Sequence, residues 1–318
     1  MNRSRTLWGR SRWAVLVAWR RELARDVWDN PVTRKELRGR MRAGRTFVTL
    51  SVYVAFLSLF LLGFYAILLD ALNLSMAASS AYSMEEIGGS LFSVVVGMEM
   101  LLIGFIAPTL TTGAISGERE HQTYDLLRVT LLPARTLVAG KLAAALAYVG
   151  LLLVVAVPLQ SVAFFFGGIE AADVWLSLWV MLLEALFLAT VGLYFSARTW
   201  RTFSAKMLTY AAIAFLVFGL PFVGGIMTLD LDAGSYQAPN ATTLYVAGAL
   251  LCFNPALVLL MSHAVSTQSQ SLFTFYYTAA NGQTFTLPAP WVVFTGLYGG
   301  LTVLLLVLAV RRVRRVEG

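Results

Sequence analysis

Six apolar runs, each about as long as a bilayer is thick, constrain this chain more than any other feature. The first, Thr46–Leu69, has 24 residues without a charge, and about 20 apolar residues in a helix cross the hydrocarbon core. Further runs lie at 91–115, 142–166, 174–196, 207–229 and 291–310. Hydrophobic residues make up 58% of the 318 residues and charged ones 13%, outside the range of soluble domains. Backbone in lipid must satisfy its own hydrogen bonds, which leaves helices or a closed barrel. The runs are continuous and do not alternate every second residue, which selects helices. The expected fold is an all-α integral membrane protein with six transmembrane helices across 46–310.

Charge fixes the expected sidedness. Of 24 Lys/Arg, thirteen lie in 1–45, four in 117–141, three in 198–206 and four in Arg311–Arg315. Six crossings with both termini inside place all of them on the cytoplasmic side. The opposite loops then hold Asp70, Glu85, Glu86, Glu170, Asp173, Asp230 and Asp232, and no Lys or Arg. A further apolar stretch, 244–265, is broken at Asn254-Pro255. A seventh crossing there would put one end on the wrong side. The expectation is therefore a re-entrant or outer-surface helical hairpin, followed by a polar outer stretch, Ser266–Gln283.

Residues 1–45 carry four acidic residues against their thirteen basic ones. Trp13–Trp19 is apolar but too short and wrongly flanked for a signal peptide. Trp13, Leu16, Val17, Leu23, Val27 and Trp28 fall near helical spacing, the pattern of an amphipathic helix in the headgroup plane. A soluble helix or a disordered basic tail is the alternative; only charge points to nucleic acid, and no nucleic-acid partner is expected. Asn30 can cap and Pro31 can start a second interfacial helix, Val32–Ala43, ending at Gly44. It would set Arg34, Lys35, Arg38 and Arg42, with Glu36 among them, beside anionic lipid headgroups. The basic segment 311–318 closes the chain.

The one charge-dense segment between two spans is 116–141, SGEREHQTYDLLRVTLLPARTLVAGK. Ser116 can cap a helix carrying Glu118 and Glu120 in its first turn, the sign favoured at a helix N-terminus. His121, Tyr124, Leu127 or Arg128, and Leu131 continue at helical spacing. An ordinary amphipathic helix joining two spans would read the same way.

The segment resembles the loop after the second span in ABC export permeases of the type-two family, which runs roughly S-G-E-R-E-x-G-T-L-D-L-L-L-x-T-P-L-S, then a spacer and Gly-Lys. Ser116–Glu120, Thr123, Asp125–Leu127, Thr130 and Gly140-Lys141 match. Gln122 stands where the family usually has glycine, and Leu131-Leu132-Pro133 replaces Pro-Leu-Ser. The stretch NPVTRKELRGRMRAGRTF also resembles that family's interfacial helix. The resemblance implies a cytoplasmic coupling helix seated in a separate ATPase, with two permeases (a second copy or a paralogue) and two ATPases per transporter. It implies coupling roles for Gly117, Glu118, Arg119, Glu120, Thr123, Tyr124, Asp125 and Leu127. ATP and Mg²⁺ would be bound by the partner; no cofactor is expected here, since G-x-x-x-x-G-K-[ST] does not occur in the chain.

Glu99 and Glu184 are the acidic residues expected well inside spans, where each must face protein or water. They could line a translocation path or hydrogen-bond a Ser, Thr or Tyr of a neighbouring helix. Pro108 and Pro158 are expected to kink their helices. Cys252 precludes an internal disulfide, and two distant histidines, His121 and His263, argue against a metal site. The alternatives are an ATP-independent secondary transporter, which predicts internal repeats and ion-site charges in broken spans, or a membrane-embedded enzyme, which needs a nucleophile with a base, a metal pair or an acidic dyad.

Overall fold

The computed structural model describes residues 31–40, 43–77, 84–123, 133–232, 241–268, 273–278 and 284–317. The expected helix around Trp13–Trp28 and residue Arg42 lie outside them. Helix α1 is Pro31–Arg40, α2 Ala43–Ala77 and α3 Met84–Thr112, with the short α4 at Ser116–Glu120. Helix α5 is Ala134–Ser161 and α6 Ala171–Arg198. Helix α7, Thr202–Ala214, runs through a π-helical turn at Phe215–Gly219 into α8, Leu220–Asp232. Then come α9 Ala241–Leu251, α10 Pro255–Gln268, strands β1 Thr274–Thr278 and β2 Thr284–Pro288, and α11 Pro290–Glu317.

Six of these segments are long and apolar enough to cross a membrane: α2, α3, α5, α6, α7–α8 and α11. The chain is a multi-pass membrane protein of predominantly α-helical build. The third such helix begins at Ala134, not Leu142, so Arg135 and Lys141 belong to a helix and not to the loop before it.

Helix α6 is the centre, packing on α3, α5, α7 and α11. Its buried face mixes large residues (Met181, Phe187, Leu188, Leu193) with Ala185, Ala189 and Gly192. Small residues let helix backbones approach where lipid supplies no hydrophobic drive. Gly192 is where this matters: an added Cβ would run into the Thr111 hydroxyl and lie 3.1 Å from the Pro108 carbonyl oxygen of α3. Gly192→Ala is expected to cost about 1–3 kcal/mol by overpacking, read as a lower denaturation midpoint in detergent. The two prolines expected to kink their helices, Pro108 and Pro158, each lie within an unbroken helix, α3 and α5.

Helix α2 contributes Tyr53 and Leu57 to a small cluster with Tyr148, Leu152 and Ala156 of α5. Its Phe47, Leu59, Leu62 and Ile67 stand exposed, as a lipid-facing helix requires. The apolar pair Thr242–Leu251 and Pro255–Val265 is bent by 118° at its break, with Pro255 as the first residue of α10. Asn254 makes the break tolerable. Its Oδ1 accepts from the Ala256 and Leu257 amides at 3.0 and 3.2 Å, an N-cap for α10. Tyr298 of α11 donates its hydroxyl to the Phe253 carbonyl at 2.8 Å. Non-helical backbone is thus satisfied by protein, as an apolar setting demands.

The polar stretch after α10 is not wholly loop: it adds one small two-stranded hairpin to the otherwise helical build. Strands β1 and β2 pair antiparallel, with Tyr276 opposite Thr286 and Tyr277 opposite Phe285. Their sequences, TFYYT and TFTLP, are rich in β-branched and aromatic residues. Tyr245 of α9 donates its hydroxyl to Thr286 O at 2.8 Å, tying the hairpin to the broken pair.

Candidate functional site

Helix α4 sits where several elements meet, and side chains fasten it to four of them. Ser116 does not cap it: that residue is already helical, and its hydroxyl donates back to Thr112 O at 2.9 Å. The cap comes from α6 instead, where Ser196 Oγ accepts from the Ile115 and Ser116 amides at 2.9 and 3.0 Å. A serine eighty residues away thus does the work of a local one.

Arg119 is buried and donates from Nη1 to Ala197 O at 3.1 Å and Thr199 O at 3.4 Å. These carbonyls close α6, so the cation meets the negative end of that helix. The guanidinium also lies 5.4 Å from the Trp200 ring centroid, within cation–π range. Next to it, Glu120 Oε2 accepts from the Thr202 amide at 3.1 Å, at the first turn of α7. Hydrogen bonds from the Thr202 side chain and backbone hold the Glu120 carboxyl below the ordinary glutamate range. Arg119 and Glu120 therefore staple the end of one long helix and the start of the next.

Glu118 turns the other way. Its Oε1 accepts from Lys141 Nζ at 2.7 Å, and the same ammonium lies 3.1 Å from Glu36 Oε1 of α1. Lys141 is 2% exposed, whereas the two carboxylates keep 23% and 26%. One buried cation thereby joins α1, α4 and α5. A hydrogen bond from Thr33 Oγ1 to Gly140 O at 3.4 Å and the burial of Val32 add to the α1–α5 contact. All three charges of Glu118-Arg119-Glu120 therefore have partners inside the chain. Glu120 is nonetheless exposed, and with it α4 and its exit present His121, Gln122 and Thr123 outward.

The exit is a tight turn: the Thr123 amide donates to Glu118 O at 2.9 Å. Gln122 has φ 57°, the only non-glycine residue with positive φ among the described residues. A side chain costs about 1–2 kcal/mol in that region, and glycine pays nothing. Gln122→Gly is expected to stabilise the fold by about 1 kcal/mol, detectable as a raised denaturation midpoint. Gly117 is half-buried against Thr202. Tyr124, Asp125 and Leu127 lie outside the described residues.

Of the interfacial set, Pro31 opens α1, Arg34, Lys35 and Arg38 are exposed, and Glu36 is committed to Lys141. Glu99 and Glu184 are both buried, on different helices. Glu99 Oε2 accepts from Gln160 Nε2 of α5 at 2.6 Å, so the hydrogen bond comes from an amide and not from a Ser, Thr or Tyr hydroxyl. Glu184 Oε2 has no hydrogen-bond partner among the described residues. Since a neutral amide of equal size removes the risk of a buried charge, Glu184→Gln is expected to be at least as stable as the native chain in chemical denaturation.

Two features of the site escaped sequence reasoning. Lys141 was visible only as part of a Gly-Lys dipeptide, and nothing nearby in sequence names Glu36 as its partner. Asp173 and His263, ninety positions apart, come together with Nδ1 and Oδ1 3.6 Å apart. No group of three or more His, Cys, Asp or Glu able to hold a metal occurs among the described residues. No family model matches this chain, and no curated protein matches it.

Proposed function

We propose that this chain is the membrane-spanning permease subunit of an ATP-driven exporter of the type-two ABC family, in the cytoplasmic membrane. In this reading α4 receives the stroke of a separate ATPase. The observation that carries the reading is the fastening of α4: Glu118 through Lys141 to α1 and α5, Ser116 and Arg119 to α6, Glu120 to α7. An element so held cannot be pushed without moving the ends of three long helices. The SGERE residues supply the fastening, while His121, Gln122 and Thr123 supply the outward surface.

The concentration of positive residues at this end of the bundle supports a cytoplasmic position for it, where the ATPase and its ATP and Mg²⁺ would be. Arg34, Lys35 and Arg38, exposed on α1, suit anionic headgroups at about 1 kcal/mol each. The working transporter would pair this chain with a second copy or paralogue and two ATPase subunits.

The test is co-purification with an ATPase encoded beside this chain, comparing the native chain with a His121→Ala, Thr123→Ala, Tyr124→Ala variant. The expected result is loss of the ATPase, or of its permease-dependent turnover, in the variant alone. Equal binding and turnover would end the coupling assignment. An ATP-independent secondary carrier draws support from the broken α9–α10 pair, and nucleotide-free transport by the purified chain would establish it instead. The Asp173–His263 pair gives an enzyme reading two of its parts. The hydroxyl of Ser93 on α3 donates to Gly89 O of its own helix at 2.8 Å and not to the pair.

A further inference from the structure

Away from α4, a cavity of about 170 Å³ opens between α3, α6 and α10. Its body is apolar, formed by Val96 and Met100 of α3, Leu176 of α6 and Leu259 of α10. Apolar cavities near 150 Å³ hold a benzene-sized group. Two polar side chains, Asp173 and His263, line it as well. An apolar pocket with a few convergent polar groups is the usual form of a small-molecule site.

The carboxylate is the informative part. Asp173 is 14% exposed, and its Oδ2 accepts from the Glu170 amide at 3.0 Å, which fixes the plane of the group. Oδ1 then faces His263 Nδ1 at 3.6 Å, longer than a hydrogen bond. A mostly buried carboxylate oxygen is thus held in place next to an apolar cavity and only loosely met by its neighbour. Such an acceptor gains most from a charged donor. The surroundings favour the same sign: the sequence has no Lys or Arg from 46 to 118, from 142 to 197 or from 207 to 310, and these stretches supply every lining residue.

We propose that this cavity binds a cationic amphiphile, its alkyl or aromatic part among Val96, Met100 and Leu259 and its ammonium on Asp173. The inference goes beyond the exporter reading, since binding here needs no ATPase and would hold for any transport mechanism. Ligands of the same tail with a neutral or anionic head share the apolar contacts and lack the charge-assisted hydrogen bond. The anionic head also meets a carboxylate.

The experiment uses the full chain in membranes and three photoreactive probes with one diazirine-bearing hexyl tail: an amine, an alcohol and a carboxylate. Labelled peptides are identified by mass spectrometry. The expected result is labelling within 92–100 and 256–263, stronger for the amine by about fivefold over the alcohol, what a charge-assisted hydrogen bond adds over a neutral one. Unlabelled hexylamine should suppress it more than hexanol does. Asp173→Asn should remove the preference for the amine, and Leu259→Trp should remove labelling by all three probes. Equal labelling by the three probes in the native chain overturns the proposal whatever the variants do. So does an amine preference that survives Asp173→Asn, or labelling confined to other peptides.

Discussion

Replacing Lys141 with methionine is expected to remove about 3 kcal/mol of stability, the largest effect of a single side chain at this end of the bundle. Methionine keeps most of the apolar stem, so the loss comes from the ammonium and not from a cavity. Two carboxylates, Glu36 and Glu118, would then face each other without the cation that holds them 3.1 and 2.7 Å from its nitrogen. Breaking a buried ion network by deleting one partner costs about 3–5 kcal/mol. The lower end applies, because both carboxylates keep about a quarter of their exposure and water screens part of the repulsion. Combining Lys141→Met with Glu36→Gln and Glu118→Gln should recover most of the loss, since a neutral network leaves no stranded charge. Chemical denaturation in detergent reads both results, and an unchanged midpoint for Lys141→Met alone would refute the argument. The triple variant also separates stability from coupling. If the proposed exporter reading holds and α4 works through this cation, the variant folds and still binds the partner ATPase, yet permease-dependent turnover falls.

The membrane-spanning framework was legible because it rests on run length alone: a stretch such as Thr46–Leu69 needs no partner to identify it. The break at Asn254-Pro255 was legible for a similar reason, since an N-cap residue followed by proline marks a helix start wherever it stands. The fastening of α4 was not, because its links join residues 23, 80 and 105 positions apart and no periodicity relates them. Reading SGERE locally gives Ser116 as a cap and the charges as a free surface. In the folded chain the cap is Ser196 and the charges are ties within the chain, Arg119 buried and Glu120 at the surface. Gln122 is the informative exception. The position where the resembled family has glycine is the one whose backbone takes a left-handed conformation, so a local rule and a remote likeness meet at one residue. The β-hairpin was missed because 266–283 reads as polar overall, although the aromatic and β-branched runs TFYYT and TFTLP were there to be counted.

Asn254→Ala is expected to cost about 2–4 kcal/mol, far more than a loop asparagine, because that side chain answers two separate needs. One is the α10 cap, worth about 1 kcal/mol. The other arises on α8, where Pro221 has no amide proton and so deprives the Val217 carbonyl of its helical partner. The backbone widens there into the π-helical turn at Phe215–Gly219, and Asn254 Nδ2 donates to Val217 O at 3.2 Å. An orphaned carbonyl in an apolar setting costs about 1–3 kcal/mol, so the two contributions are of similar size and can be separated. Asn254→Ser retains a competent cap but is too short to reach Val217, and should lose only the second part. Pro221→Ala restores an amide at the position that serves Val217. In that background Asn254→Ser should cost at least 1 kcal/mol less than in the native chain. Equal cost in both backgrounds would show that the Asn254–Val217 contact is incidental. The same contact has a mechanical meaning: the fifth long helix is gripped near its start by Glu120 and near its middle by Asn254. A displacement of α4 thus has a continuous path of hydrogen-bonded contacts to the broken α9–α10 pair. If the proposed coupling to an ATPase holds, Asn254→Ser, which cuts that path while leaving α4 intact, should lower transport without releasing that partner.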